Sequence, residues 1–167
     1  RGLGEAAPLP GWSAVPTQVV GEALHAWAEG RGSRSSLPPS AAHAVSTAEL
    51  DLAAQAAETT VAAQLSEGWQ SSVPVAHLAR DARHGVSLVA QGARCLKLKV
   101  ATGSPSDDLA RVAALREAVG PDIAIRIDAN QGWSLSTAEA MLPPLAELGV
   151  ALIEEPVERA EDMAALR

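Results

Sequence analysis

Several residue types that proteins commonly use are scarce in this sequence of 167 residues. It has no Phe, no Tyr and only two Met, so its core must be built from Val, Leu and some of its 35 Ala. Cys95 is the only cysteine, which excludes an internal disulfide and a cysteine-based zinc site. Only two of the 13 basic residues, Lys97 and Lys99, are lysines, and the other 11 are arginines.

Positive charge and long apolar runs are scarce as well. The formal net charge is −7 and the arginines are scattered, which argues against the basic face that nucleic-acid binding needs. No apolar run approaches the roughly 18 residues of a transmembrane helix, and the given sequence does not open with a charged segment followed by an apolar run. We therefore expect a cytoplasmic protein that binds neither nucleic acid nor membranes. Because the sequence starts at Arg1 and not at Met, we also expect a piece of a longer protein.

The chain divides into two regions with different patterns, residues 1–70 and residues 71–167. The first region predicts a short strand at its start and a helix from about Thr17 to Glu29. A second, Ala-rich helix is predicted to open near Ser40.

Strands and helices are predicted to alternate in the second region. The strands are predicted at Val73–Leu78, Cys95–Val100, Ile123–Asp128 and Val150–Glu154. Strand–helix alternation with a period of about 25–30 residues indicates βαβ units and a parallel sheet. Two α/β architectures fit this pattern, an open doubly wound sheet and the first half of a (β/α)8 barrel.

Capping signals predict where the helices of the second region begin. Ser104 before Pro105 indicates one helix start, and Ser136 with Glu139 indicates the next. Pro143–Pro144 lies inside that second helix and predicts a kink or an interruption.

The two lysines are the first candidates for chemistry. Lys97 and Lys99 are two residues apart on a predicted strand, so their side chains point to the same face. All other basic residues of the chain are arginines. An ammonium group can lose its proton near neutral pH when its pKa is lowered, whereas a guanidinium group cannot. We therefore predict amine chemistry, in which one lysine lowers the pKa of the other.

Acidic residues end the next two predicted strands. Asp128 and Glu154 are expected to converge at one edge of a parallel sheet, where carboxylates suit Mg²⁺. A divalent cation beside a lysine base is an arrangement for removing the proton α to a carboxylate.

These motifs, in this order and spacing, resemble the enolase superfamily and its muconate-lactonizing branch. The motifs are Lys97-Leu-Lys99, the segment Arg126–Trp133 and Ile153-Glu154-Glu155-Pro156. The resemblance implies that residues 1–70 form part of an α+β capping domain and residues 71–167 strands one to four of a modified (β/α) TIM-type barrel. Within the branch, the opening segment Gly2–Ser13 resembles the o-succinylbenzoate synthases, Mg²⁺-dependent dehydratases of menaquinone biosynthesis.

The resemblance also implies a role for each site residue. Lys99 corresponds to the catalytic acid/base, and Lys97 to the lysine that contacts the substrate carboxylate. Asp128 and Glu154 correspond to two Mg²⁺ ligands. The supporting positions are Asn130 and Arg126, and Trp12 lies in a segment expected to cover the substrate.

Two alternatives stay open beside the synthase. Dipeptide epimerases, N-acylamino-acid racemases and muconate cycloisomerases share these motifs and also act on small-molecule carboxylates. The superfamily also needs a third acidic ligand and a further lysine, which we expect beyond Arg167, so we expect these 167 residues by themselves to bind Mg²⁺ weakly and to be inactive. A non-catalytic fragment or interaction module is the other alternative. The sequence alone leaves the oligomeric state undecided.

Overall fold

The computed structural model describes residues 1–166, and the chain forms two compact units. The first unit is Arg1–Val73, and the second begins at Pro74. No helix within these 166 residues combines the length and the apolar character needed to cross a membrane.

The first unit is helical. It contains helix α1 (Thr17–Ala28), a short 3-10 turn (Arg34–Ser36), helix α2 (Pro39–Ala56) and helix α3 (Val61–Leu65). The helix predicted from Thr17 and the Ala-rich helix near Ser40 are confirmed.

The predicted strand at the start of the first unit is wrong, because residues 1–9 form neither a strand nor a helix. This segment lies along α2. A methyl group added at Gly2 or Gly4 would stand 1.9 Å from the carbonyl oxygen of Ala48 or Ala44. The segment therefore packs against a helix backbone and has no neighbouring strand with which to pair.

The second unit alternates strands and helices, as predicted. Its elements are β1 (His77–Ala79), α4 (Ala82–Ala90), β2 (Cys95–Lys99), α5 (Pro105–Val119), β3 (Ala124–Asp128), α6 (Leu135–Glu147), β4 (Val150–Glu154) and α7 (Ala160–Ala165). The strands form one parallel sheet in the order β1-β2-β3-β4. A doubly wound sheet reverses its strand order at a switch point, whereas a (β/α) barrel keeps the strands in sequence. The fold is thus a partial TIM-type barrel.

One face of this sheet packs against the helices. Leu96 and Leu98 on β2 and Ile125 and Ile127 on β3 are almost fully buried there. Their helical partners in the core include Val112, Leu115, Ala138 and Leu145. Because side chains alternate along a strand, the residues between these four belong to the other face.

Two local predictions in the second unit need correction. Strand β1 is shorter than the predicted Val73–Leu78, because only residues 77–79 pair with β2 and Pro74 offers no amide hydrogen. Helix α6 is capped by Ser134, whose side chain accepts a hydrogen bond from the Thr137 amide, and Ser136 lies inside the helix.

Helix α6 also continues through Pro143 and Pro144, so the predicted interruption does not occur. The proline φ angle is compatible with a helix, and the loss of the two amide donors does not end it here. The carbonyl of Pro144 still accepts a hydrogen bond from the Leu148 amide. By contrast, the predicted cap at Ser104 is confirmed, because its side chain accepts from the Asp107 amide.

Arg116 on α5 holds the segments that lead into β3 and β4. Its guanidinium donates four hydrogen bonds to backbone carbonyls, those of Gly120, Ile123, Leu148 and Gly149, over distances of 2.7–3.0 Å. These carbonyls precede the two strands, at the end of the sheet away from the acidic residues.

Candidate active site

The candidate site lies where β2, β3 and β4 end. The strand register pairs Lys99 with Asp128, and Asp128 with Glu154, while Lys97 pairs with Arg126. All five therefore belong to the face of the sheet opposite the buried core residues. The parallel register brings together side chains that are far apart in the sequence.

Asp128 is the point where both lysines meet. Its Oδ2 is 2.7 Å from Lys97 Nζ and 3.2 Å from Lys99 Nζ. Lys97 Nζ also lies 2.8 Å from Glu154 Oε2. Lys99 Nζ donates to Asn130 Oδ1 at 2.5 Å, and the Asn130 amide donates to Asp128 Oδ1 at 3.0 Å. The structure thus joins five predicted site residues in one network.

Burial and hydrogen bonding act in opposite directions on Asp128. The residue is only 2% exposed, and burial, the largest influence, raises the pKa of its carboxyl group. Hydrogen bonds from Lys97, Lys99 and the Asn130 amide together outweigh burial, so the pKa of Asp128 is lowered from 3.8. The residue is therefore a buried carboxylate that stays charged.

The pKa of the Lys97 amine is raised. Hydrogen bonds to Asp128 and then to Glu154 raise it above 10.5, although burial acts the other way. The sequence pattern indicated only the neighbouring lysine, whereas the fold surrounds Lys97 with two carboxylates.

The backbone after these strands adopts conformations that non-glycine residues rarely take. Asn130, Gln131 and Glu155 have φ angles of 45°, 63° and 41°. The Gln131 amide donates to the Glu155 carbonyl at 2.7 Å, which ties the loop after β3 to the loop after β4. Sequence reasoning missed Gln131 and Glu155, since no local signal marks a left-handed residue other than glycine or asparagine.

Arg126 and Trp12 are not joined to this network. The Arg126 side chain forms no hydrogen bond or ion pair within residues 1–166, although Arg126 pairs in register with Lys97. Trp12 is 63% exposed in the first unit, in a turn where its amide donates to the Leu9 carbonyl. Their predicted roles as a supporting residue and a substrate-covering residue remain predictions.

The residues fit part of a magnesium site. The Lys97 ammonium lies between two carboxylate oxygens, of Asp128 and Glu154, so the fold already directs both groups at one cation. Carboxylate oxygens are the ligands that Mg²⁺ prefers. In residues 1–166 no cluster of three or more His, Cys, Asp or Glu side chains is suited to a metal.

A family model described as "Enolase C-terminal domain-like" matches residues 77–167. The chain belongs to this family. It is 34% identical over 135 residues to a chloromuconate cycloisomerase of Cupriavidus necator, a match that covers 77% of this chain and 36% of that protein. It is 46% identical over 78 residues to a hydrophobic dipeptide epimerase of Enterococcus faecalis, which covers 47% of this chain and 22% of that protein.

A solved structure of a dipeptide epimerase from Enterococcus faecalis, complexed with Mg and the dipeptide L-Leu-L-Tyr, resembles this chain over 99% of its length. The TM-score is 0.89 at 29% sequence identity, and the match covers 52% of that structure. These matches therefore span between about a fifth and a half of the length of the relatives.

Proposed function

We propose that the protein removes the proton α to the carboxylate of a small-molecule substrate and returns it in an isomerisation. The observation that carries this proposal is the contact network in which Lys97 and Lys99 meet Asp128, with Glu154 beside them. Such a reaction needs a base, a cationic group that binds the substrate carboxylate, and carboxylates that hold a metal cation.

Lys99 is the proposed acid/base. Its Nζ is held by Asn130 Oδ1 and Asp128 Oδ2, two acceptors that orient the amine from the β3 side. Its side chain is 46% exposed, so a substrate can approach it. In this proposal Lys99 takes the α-proton on Nζ. Inversion at the α-carbon then needs a proton delivered to the opposite face by a second acid/base group, such as the further lysine that the superfamily resemblance implies.

Lys97 is the proposed contact for the substrate carboxylate. Its side chain is 25% exposed and already binds two carboxylates, which supports this role. Asp128 and Glu154 would hold Mg²⁺, which would neutralise the negative charge that develops on the substrate during proton removal. Asn130 keeps its supporting role through its contacts to Lys99 and Asp128.

The relatives support an isomerase more than the dehydratase that the opening segment predicted. Their names describe a cycloisomerase and a dipeptide epimerase, and a further relative, from Bacillus cereus, is an N-succinyl-L-Arg/Lys racemase. These relatives do not support dehydration to o-succinylbenzoate or a place in menaquinone biosynthesis. We therefore favour epimerisation or racemisation of an N-acylated amino acid or dipeptide, and we propose that the first unit belongs to a capping domain.

Deuterium exchange tests this function. The purified full-length protein that contains these residues is incubated in D2O with Mg²⁺ and L-Leu-L-Tyr, or with an N-succinyl amino acid, and deuterium at the α-carbon is followed by NMR. We expect exchange in the native protein and a loss of at least about a hundredfold in Lys99→Gln, since acid/base groups contribute about 10²–10⁴-fold. Arg83→Gln, on the exposed side of α4, is the control that should exchange normally.

Dehydration is assayed in parallel with the cyclohexadiene carboxylate substrate of the synthases. Formation of o-succinylbenzoate without α-exchange of amino-acid substrates would contradict the isomerase proposal. Absence of both reactions would contradict the catalytic proposal and favour a non-catalytic module.

A further inference from the structure

Asp108 is a buried carboxylate that the proposed chemistry does not use. It lies in the first turns of α5 and is 1% exposed, and Asp128 is the only other charged residue as deeply buried among residues 1–166. Burying a carboxylate is costly unless hydrogen bonds and a counter-charge compensate it. The contacts of Asp108 therefore indicate its structural role.

Asp108 binds the loop that follows β2. Its Oδ2 accepts a hydrogen bond from the Ala101 amide at 2.6 Å, and its Oδ1 lies 3.3 Å from Arg111 Nη1. The same Arg111 nitrogen donates to Thr102 Oγ1 at 3.0 Å. Two successive residues of the loop are thus held by α5, and this loop begins directly after Lys99.

Ala101 needs such a restraint. Its φ angle is 58°, a left-handed conformation that is unfavourable for a residue with a Cβ atom. Strained residues of this kind persist only where surrounding contacts hold them. The short hydrogen bond from its amide to Asp108 is that contact.

Ala101 in turn packs against the loop after β3. A methyl group added at Gly132 would stand 2.6 Å from Ala101 Cβ, so only glycine lets the two loops approach this closely. Gly132 closes the turn that contains Asn130, since its amide donates to the Ala129 carbonyl at 2.8 Å. Asn130 is the residue that accepts from Lys99 Nζ.

We propose that Asp108 is a positioning residue, which holds Ala101 in its left-handed conformation and thereby sets Lys99 against Asn130. The expected effect of Asp108 on catalysis rests on the proposed function of Lys99. Its expected effect on the position of Lys99 does not. Asp108 does not contact the reacting atoms, and it acts through the Ala101 amide and the Gly132 contact.

Lysine-selective NMR reads the position of Lys99 directly. The chain has only two lysines, so ¹³C-labelled lysine yields two side-chain signals, which Lys97→Arg and Lys99→Arg assign. In Asp108→Ala we expect the Lys99 signal to shift, the Lys97 signal to stay, and the Ala101 amide to lose protection from hydrogen exchange. The matched control is Asp107→Ala on the same helix turn, where the carboxylate binds Ser104 and not Ala101, and neither lysine signal should move.

Asp108→Asn is the second variant, for the case in which Asp108→Ala does not fold. Its carboxamide oxygen can still accept from the Ala101 amide, so the Lys99 signal should remain near its native place. An unmoved Lys99 signal in a folded Asp108→Ala variant, or an equal shift in Asp108→Asn, would overturn the proposal.

Kinetics separate this inference from the proposed function. If the native protein exchanges α-protons, Asp108→Ala should lower kcat on the order of tenfold and leave KM nearly unchanged, because small misplacements of a reacting group slow the chemical step. An unchanged kcat would overturn the catalytic consequence of the inference. If the native protein shows no exchange, the proposed function fails, while the two lysine signals still decide whether Asp108 positions Lys99.

Discussion

Asp128 is the residue through which the candidate site is held together. One buried carboxylate forms ion pairs with two ammonium groups and also accepts a hydrogen bond from the Asn130 amide. Such a group contributes to stability only while it is ionised, because its partners favour the charged form. The stability of the fold should therefore depend on pH through this residue.

Replacing Asp128 by Asn should show this dependence. The lowered pKa of Asp128 means that its contribution is fully present above 3.8 and is lost as the pH falls through the folded-state pKa. The raised pKa of Lys97 means that its contribution is fully present below 10.5 and is lost as the pH rises through its folded-state value. The native protein should exceed Asp128→Asn in free energy of unfolding near neutral pH, and this difference should shrink at both extremes.

Urea unfolding followed by circular dichroism over a pH series measures the difference. Asp122→Asn is the control, because Asp122 is exposed and forms no hydrogen bond or ion pair within residues 1–166. A difference for Asp128→Asn that stays constant as the pH falls well below 3.8 would contradict the assignment.

At the scale of helices and strands, α4 packs closely against α5 and against the buried face of the sheet. Gly85 on α4 is buried, and a methyl group there would stand 2.4 Å from Leu115 Cδ1 and 3.3 Å from Leu96 Cδ1. Both leucines are fully buried and have little room to move. The helix therefore approaches the core at a residue without a side chain.

The two helical glycines should respond with opposite sign to substitution by Ala. Alanine favours a helix over glycine by about 0.5–1 kcal/mol. At Gly85, overpacking of a full core costs about 1–3 kcal/mol and should outweigh that gain. At Gly21 on α1 no atom lies within 4 Å of the added methyl group, so Gly21→Ala should stabilise.

Thermal unfolding of the two variants beside the native chain measures both effects. We expect a lower midpoint for Gly85→Ala and a higher one for Gly21→Ala. A rise for Gly85→Ala would show that the Leu115 side chain can move aside, and it would contradict close packing at Gly85.

Considered as a whole molecule, the chain is two units joined by an exposed stretch. Residues 66–76 contain no helix or strand, and Val73, Pro74 and Val75 are exposed to solvent. Exposed segments without regular structure are preferred sites of proteolytic cleavage. The boundary between the units should therefore be the first place that a protease attacks.

Limited digestion with a glutamate-specific protease tests this expectation. Glu67 is the only acidic residue in the stretch, so early cleavage should release fragments 1–67 and 68–167, which mass spectrometry identifies. Glu67→Gln should abolish this pair of fragments and leave slower cleavage elsewhere unchanged. A first cut inside α5 or α6 would contradict the division into units.

The sequence by itself determined the local structure and the identity of the reactive groups. Alternation of apolar residues set β2, β3 and β4, and Ser104 marked a helix start, because these signals act over a few residues. The scarcity of lysine singled out Lys97 and Lys99, and the acids at the strand ends indicated Asp128 and Glu154.

Only the tertiary structure decided how these pieces combine. The order β1-β2-β3-β4 separates a barrel from a doubly wound sheet, and it depends on contacts between residues far apart in the chain. The same is true of the two carboxylates around Lys97, which raise the pKa of its amine. Buried Asp108 and left-handed Ala101 also carry no local signal, because their conformations are stabilised by each other and by neighbouring loops.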